Sequence, residues 1–226
     1  MATLVLDKPA LGAGTGSRPD PRMAAVGAVN YGADESSDAA IMLRVAAGDE
    51  SGFNYLVEKH YRAMIHFLFR MVRNQAVAEE LAQEVFLRIY RSRASYEPTA
   101  RFTTWMFRIA THLALNWLRD EKNERATERL DEDRGSDMPA RELPDKKPSV
   151  EQRMVYQARL QEIRDAISLL PEKQRAAVLM HKYREMEYAQ IASALECSES
   201  AVKSLLFRAY ETLRARLAHM VTRGAL

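Results

Sequence analysis

The apolar residues of this chain return at steps of three and four, and almost nowhere at steps of two. That spacing is the period of an α-helix seen from one side, whereas a half-buried strand would alternate. Phe53, Leu56, Val57, Met64, Ile65 and Leu68 form one such stripe. Ala78, Leu81, Ala82, Val85, Phe86 and Ile89 form a second, with "RNQAV" as the break between them. Trp105, Met106, Ile109, Ala110, Leu113 and Trp117 form a third. No alternation of useful length occurs, so the expected fold is all-α.

The helical pattern opens at Asp38 and is interrupted twice. In "SRASYEPTARF", Pro98 biases Glu97 away from helical angles. A loop of about ten residues is expected there, with Thr103 or Thr104 capping the next helix. The larger interruption, Glu121–Lys147, reads "EKNERATERLDEDRGSDMPARELPDKK". It is mostly charged or small and cannot bury enough apolar area to fix itself, so it reads as a linker. Beyond it Ser149 is placed to cap a helix carrying Val155, Leu160, Ile163, Ala166, Ile167 and Leu170 inward. Pro171 ends that helix and begins another, over about Glu172 to Lys182. The expected organisation is two small helical domains, 38–122 and 149–220, joined by a flexible charged linker, 123–148. The segment 1–37 is rich in Gly, Ala, Pro and Ser and is expected to be disordered. Met23 and Met42 stand as alternative start positions.

Composition removes several classes of function. The longest apolar runs fall far short of a membrane span. The N-terminus lacks the basic-then-apolar plan of a secretory signal. A cytoplasmic protein without membrane insertion is expected. The lone cysteine, Cys197, has no partner for an internal disulfide, and no Cys/His cluster has zinc spacing. Acidic and histidine residues are scattered, without a nucleophile–base set, a phosphate loop or a metal constellation. The expectation is no enzyme, no cofactor and no small-molecule substrate. His60, His66, His181 and His219 are expected to be structural or solvent-facing. Net charge is only +2, so any nucleic-acid role must rest on local patches.

One stretch supplies such a patch. "EMEYAQIASALECSESAVKSLLFRAYETLR", Glu185–Arg214, reads as a short helix, an abrupt break and a longer helix. Ile191, Ala192 and Leu195 face inward from the first. Ser198 caps the second, whose inward positions are Val202, Leu205 or Leu206, Ala209 and Leu213. This is a helix-turn-helix plan, in which one helix braces and the next is presented outward. The outward face carries Ser200, Lys203, Ser204 and Arg208, types suited to base edges in a major groove. A plain helical hairpin with a solvated polar face would show much the same pattern. Cys197, at the turn, reads as a small packing residue rather than a redox sensor.

"LPEKQRAAVLMHKYREMEYAQIASALECSESAVKSLLFRAYETLRARL" resembles the region-four domain of bacterial sigma factors. "AEELAQEVFLRIYR" followed by "FTTWMFRIATHLALNWLRD" resembles the region-two domain of the extracytoplasmic-function (group-four) sigma factors of the sigma-70 family. The two likenesses cover roughly Asp38–Lys122 and Ser149–Leu217, in the family's order and with no region three between them. The resemblance implies a sigma factor that binds core RNA polymerase, at the beta-prime clamp and the beta flap, and directs it to particular promoters. It implies reading of the minus-thirty-five element as duplex and of the minus-ten element as a melted single strand. An anti-sigma partner, covering the polymerase-binding faces of both domains, is a further expectation carried from the family.

Residue roles follow the same resemblance. Glu80, Gln83, Glu84, Arg88 and Arg91 match the face that docks on polymerase. Tyr96, Arg101, Phe102, Thr103, Arg108, His112, Arg119 and Lys122 match the minus-ten region. Ser200, Lys203, Ser204, Phe207 and Arg208 match the minus-thirty-five helix. Pulling a base from the stack costs a few kcal/mol, recovered by stacking and edge hydrogen bonds, and Tyr96 reads as the freer aromatic for that task. Trp105 and Trp117 fit the apolar stripe, and at least one of them is expected in the core. Where the family run is close to "RIARNLALDLLR", this chain has "RIATHLALNWLR", with His112 for Asn and Asn116 for Asp, which leaves the preferred base open. Leu205 and Tyr210 replace basic residues common in the family's recognition helix. A helix-turn-helix regulator acting without polymerase is the alternative within DNA binding, and a helical scaffold the alternative outside it.

Overall fold

The computed structural model describes residues 36–127 and 150–223, and among them all regular structure is helical. The first bundle holds α1 (Asp38–Ala46), α2 (Glu50–Val72), α3 (Gln75–Arg91), a 3-10 turn (Arg93–Ser95) and α4 (Phe102–Thr127). The second holds α5 (Val150–Ser168), α6 (Glu172–Arg184), α7 (Tyr188–Leu195) and α8 (Glu199–Arg223).

Helix boundaries follow local chemistry. The Ser37 hydroxyl accepts from the Ala40 N–H at 3.1 Å and starts α1. Asp49 does the same for α2 through Gly52, and Asn74 for α3 through Val77. Such caps satisfy N–H groups that have no partner inside the helix. Arg73 ends α2 in the left-handed conformation, φ 59°, and its side-chain–capped neighbour Asn74 restarts the chain at once as α3. Gly52 lets α1 and α2 approach closely, since a Cβ there would lie 3.2 Å from both Ile41 and Val45 side chains. Pro171 starts α6, as its fixed φ and missing N–H suit.

Three expectations are corrected. Neither Thr103 nor Thr104 caps α4, which begins at Phe102. The Arg101 carbonyl accepts the first turn's N–H groups, from Thr104 at 2.9 Å and Trp105 at 3.3 Å. Thr104 is instead buried in the core. Second, α4 runs on to Thr127, so the first residues of the expected linker are helical. Third, Val155 is exposed rather than inward, together with Met154 and Tyr156. These three apolar side chains of the outer half of α5 stay exposed, whereas Ala166 and Ile167 near its end, and Leu170 just beyond it, are buried. The expected cap Ser149, the rest of the linker and nearly all of the expected disordered segment lie outside the described residues.

The core is continuous across both bundles. In the first, Leu56, Met64, Leu68, Met71, Ala78, Ala82, Val85, Ile89, Met106 and Ala110 are fully buried. In the second, Ala176, Ala177, Met180, Ile191, Val202 and Ala209 are. Each buried Leu, Ile, Val or Met stabilises by about 1.5–3 kcal/mol relative to exposure. The bundles also pack on each other, α7 against α4 and α6 against α2.

Candidate polymerase and promoter surfaces

Three exposed surfaces gather the residues singled out above. The first is the outer face of α3. Ala78, Ala82, Val85, Phe86 and Ile89 point into the core, which turns Glu80, Gln83, Arg88 and Arg91 to solvent with Glu84 partly so. Glu84 and Arg88 pair at 2.7 Å, one helical turn apart. Leu87 stands among them, 48% exposed. It is off the buried stripe and does not pack on the core formed by the described residues. An exposed leucine inside a ring of mixed charges has the make-up of an interface centre with a polar rim. In the sequence, Leu87 is marked only by its offset from that stripe.

The second surface is the turn before α4 and the outer side of α4. Here the residues have different surroundings. Phe102 is only 2% exposed and packs on His60, Tyr96 and Trp105. It holds the turn from inside and presents no free face to a base. Tyr96 is freer than Phe102 but still packed. Its ring lies 5.0 Å from that of Trp105, its hydroxyl is buried without a hydrogen-bond partner among the described residues, and burial pushes its pKa up to about 12. Tyr96 and Trp105 are each half-buried, so the rim of a packed aromatic cluster faces outward. Arg101, Arg119 and Lys122 are exposed, and Thr103, Arg108 and His112 are partly so. His60, beneath the cluster, bonds the Asp38 carboxylate at 2.9 Å, which makes it structural as expected.

The third surface is the outer face of α8. The Ser198 hydroxyl accepts from the Ala201 N–H at 3.2 Å and starts the helix, as expected. Val202, Leu206 and Ala209 are buried against α6 and α7, which resolves the Leu205-or-Leu206 choice in favour of Leu206. Ser200, Lys203, Ser204, Phe207 and Arg208 are all exposed, Phe207 at 67%. Ser204 donates back to the Ser200 carbonyl at 3.0 Å. Neither Lys203 nor Arg208 forms an ion pair among the described residues, so both cationic heads are free for an outside anion. Cys197 is half-buried at the turn, and burial raises its thiol pKa, the setting of an inert packing residue.

Contacts between the bundles touch the second surface. Lys122 pairs with Glu172 of α6, and the Lys122 hydrogen bond holds the Glu172 carboxyl below its usual range. His112 Nε2 lies 3.7 Å from the carboxylate of Glu196, the residue that ends α7 in a left-handed conformation. Elsewhere Arg73 pairs with Asp165 at 3.2 Å, and Arg175 donates to the carbonyls of Met71 and Leu170. Arg70 stacks over the Tyr183 ring at 4.0 Å, and Arg184 over Phe107 at 5.0 Å. None of these contacts has a periodic signature in the sequence.

Both bundles match known protein families. Residues 56–124 match the sigma-70 region 2 family and residues 160–213 the sigma-70 region 4 family. The sigma factor CarQ of Myxococcus xanthus is 32% identical over 79% of this chain and 97% of its own length. The ECF RNA polymerase sigma-E factor of Haemophilus influenzae is 29% identical over 82% of this chain and 97% of its own. Among solved structures, CnrH in complex with the cytosolic domain of CnrY aligns over 80% of this chain and 97% of its own, with a TM-score of 0.57 and 18% identity. The sigma factor RpoE bound to the anti-sigma factor NepR, from Bartonella quintana, aligns over 74% of this chain and 96% of its own, with a TM-score of 0.56 and 20% identity. These structures share the fold. No described helix is long and apolar enough to cross a membrane. With both sigma-70 regions matched in order and a relative at this identity spanning its whole length, the chain belongs to the extracytoplasmic-function sigma factors of RNA polymerase.

Proposed function

We propose that the first bundle docks on the beta-prime clamp of core polymerase through α3, with Leu87 at the centre and Glu80, Gln83, Glu84, Arg88 and Arg91 around it. The second bundle lays α8 in the major groove of the minus-thirty-five element. Lys203 and Arg208 supply cations there, Ser200 and Ser204 short hydroxyl contacts, and Phe207 an apolar contact of the kind that suits a thymine methyl. The same bundle contacts the beta flap. The minus-ten element is held as a melted strand along the outer side of α4. Arg101, Arg119 and Lys122 take phosphates, and Arg108, Thr103 and His112 reach base edges. Tyr96 and Phe102 shape that surface from beneath by packing on Trp105.

The observation that carries this reading is the free cationic face of α8 on the second helix of a helix-turn-helix. Run-off transcription with core polymerase on a randomised promoter library tests it. Enriched sequence should appear in two blocks, at the minus-thirty-five and minus-ten positions, and only when the chain is present. Unselected start sites with and without the chain would sink the reading. An anti-sigma partner is part of the same proposal. A pull-down from its own cell extract that recovers polymerase alone would remove that part.

A further inference from the structure

A small cleft, with room for about one water-sized group, lies between α2 and α6. Phe67 and Leu179 line it with His66, Arg70, Tyr183 and Arg184. The two arginines come from different bundles. Each guanidinium is stacked on a ring, Arg70 at 4.0 Å over Tyr183 and Arg184 at 5.0 Å over Phe107. Stacking uses the flat faces and leaves the N–H edges, the part that binds oxyanions bidentately.

Those edges have no acceptor among the described residues. Among the described residues, none of His66, Arg70 and Arg184 makes an ion pair or a side-chain hydrogen bond. Other cations crowd the site instead. Burial depresses the Arg70 pKa, with Arg164 adding repulsion, and burial depresses that of Arg184, with Arg70 adding repulsion. Burial likewise lowers the His66 pKa, helped by Arg70, Arg184 and Arg62. Like charges partly withdrawn from water without a counter-ion carry a cost that an entering anion relieves.

We propose that this pocket is a binding site for a small phosphate-chain anion, held between the Arg70 and Arg184 edges with His66 beside them, so that the anion bridges the two bundles. The cleft itself takes little more than one water-sized group, so the anion lies across its mouth on the two guanidinium edges rather than inside it. An acidic peptide would satisfy the same cations less well, because a carboxylate offers fewer oxygens in the same volume than a phosphate.

The test is thermal unfolding of the whole chain in pyrophosphate without magnesium, against sodium chloride at equal ionic strength. Pyrophosphate at ten times its dissociation constant should raise the midpoint measurably, as binding to the folded form alone requires. Arg70→Gln and Arg184→Gln should each lower the affinity at least tenfold, whereas Lys203→Ala should leave it unchanged. Titration calorimetry on the folded variants reads the affinity directly. An ATP arm separates sources: equal affinity marks a free phosphate chain as the ligand, and higher affinity marks a nucleotide. No response beyond that of chloride in the unaltered chain overturns the site. So does a response that survives both arginine substitutions or is lost with Lys203→Ala.

Discussion

At the scale of single residues, Asp38 has a larger role than its position at the start of α1 suggests. Its carboxylate accepts from Lys59 at 2.7 Å and meets His60 at 2.9 Å, both on α2. Burial pushes this carboxyl up, but the hydrogen bonds and charges of His60 and Lys59 together outweigh burial and hold it below the ordinary 3.8. A carboxyl depressed in the folded state contributes stability that is whole above the unfolded value and declines as pH falls through the lower folded value. Asp38→Asn should therefore cost about 1.5–3 kcal/mol near neutral pH, the range for hydrogen bonds to a charged group. The deficit should shrink below pH 3.8 and vanish in stronger acid. Urea midpoints of both proteins across a pH series measure it, and a deficit constant with pH would contradict the assignment.

At the scale of elements, two helices carry the functional faces, and each can be altered without touching the core. Leu87 on α3 is half-exposed, so Leu87→Asp should leave the melting temperature within a few degrees. It should weaken binding to core polymerase tenfold or more, because a charge at the dry centre of an interface is costly. Competition against a labelled sigma factor for core enzyme reads the affinity, and circular dichroism checks the fold. On α8, Lys203→Ala and Arg208→Ala should each cost about 1–3 kcal/mol of promoter discrimination if the side chain meets a base. A purely phosphate contact would instead weaken all promoters alike and flatten the salt dependence. Transcription from promoters differing only in the minus-thirty-five block separates the two, and unchanged transcription with both variants would favour the scaffold alternative. These elements were legible in the sequence because each combines a periodic buried stripe with a local start or stop: Ser198 for α8, Pro171 for α6, "RNQAV" between α2 and α3. The last turns of α4 were not. Beyond Leu118 the helix is mostly charged, so no stripe marks it, although Glu, Lys and Arg are good helix formers. The aromatic cluster was legible in composition but not in role: Phe102 and Tyr96 lie beside Trp105, and only packing tells a buried ring from a free one.

At the scale of the whole molecule, the sequence suggested two bodies on a tether, and the structure adds that they are docked. That docking was invisible in the sequence because the apolar packing of α7 on α4 and α6 on α2 does not mark its partner, and the arginines stacked over rings and bonded to backbone carbonyls follow no period. Its consequence for function lies at two positions on the proposed minus-ten surface. His112 and Lys122 meet Glu196 and Glu172 of the second bundle, where a nucleic-acid strand would place phosphates or base edges. An acidic side chain and a DNA strand cannot occupy those places together, so the docked form and the strand-bound form compete. Glu196 is largely exposed and Glu172 is 29% exposed, so each pair is worth only about 0.2–1 kcal/mol. Removing both charges together should therefore change single-strand affinity by a modest factor. Glu172→Gln with Glu196→Gln should raise affinity for a minus-ten single strand about three- to tenfold at low salt, since about 1.4 kcal/mol corresponds to tenfold. The gain should fade as salt screens both the pairs and the strand. Fluorescence anisotropy with a labelled oligonucleotide measures the affinity, and energy transfer between dyes on α3 and α8 reports the separation of the bundles. An unchanged affinity, or a gain with no change in energy transfer, would mean that the two carboxylates do not compete with the strand.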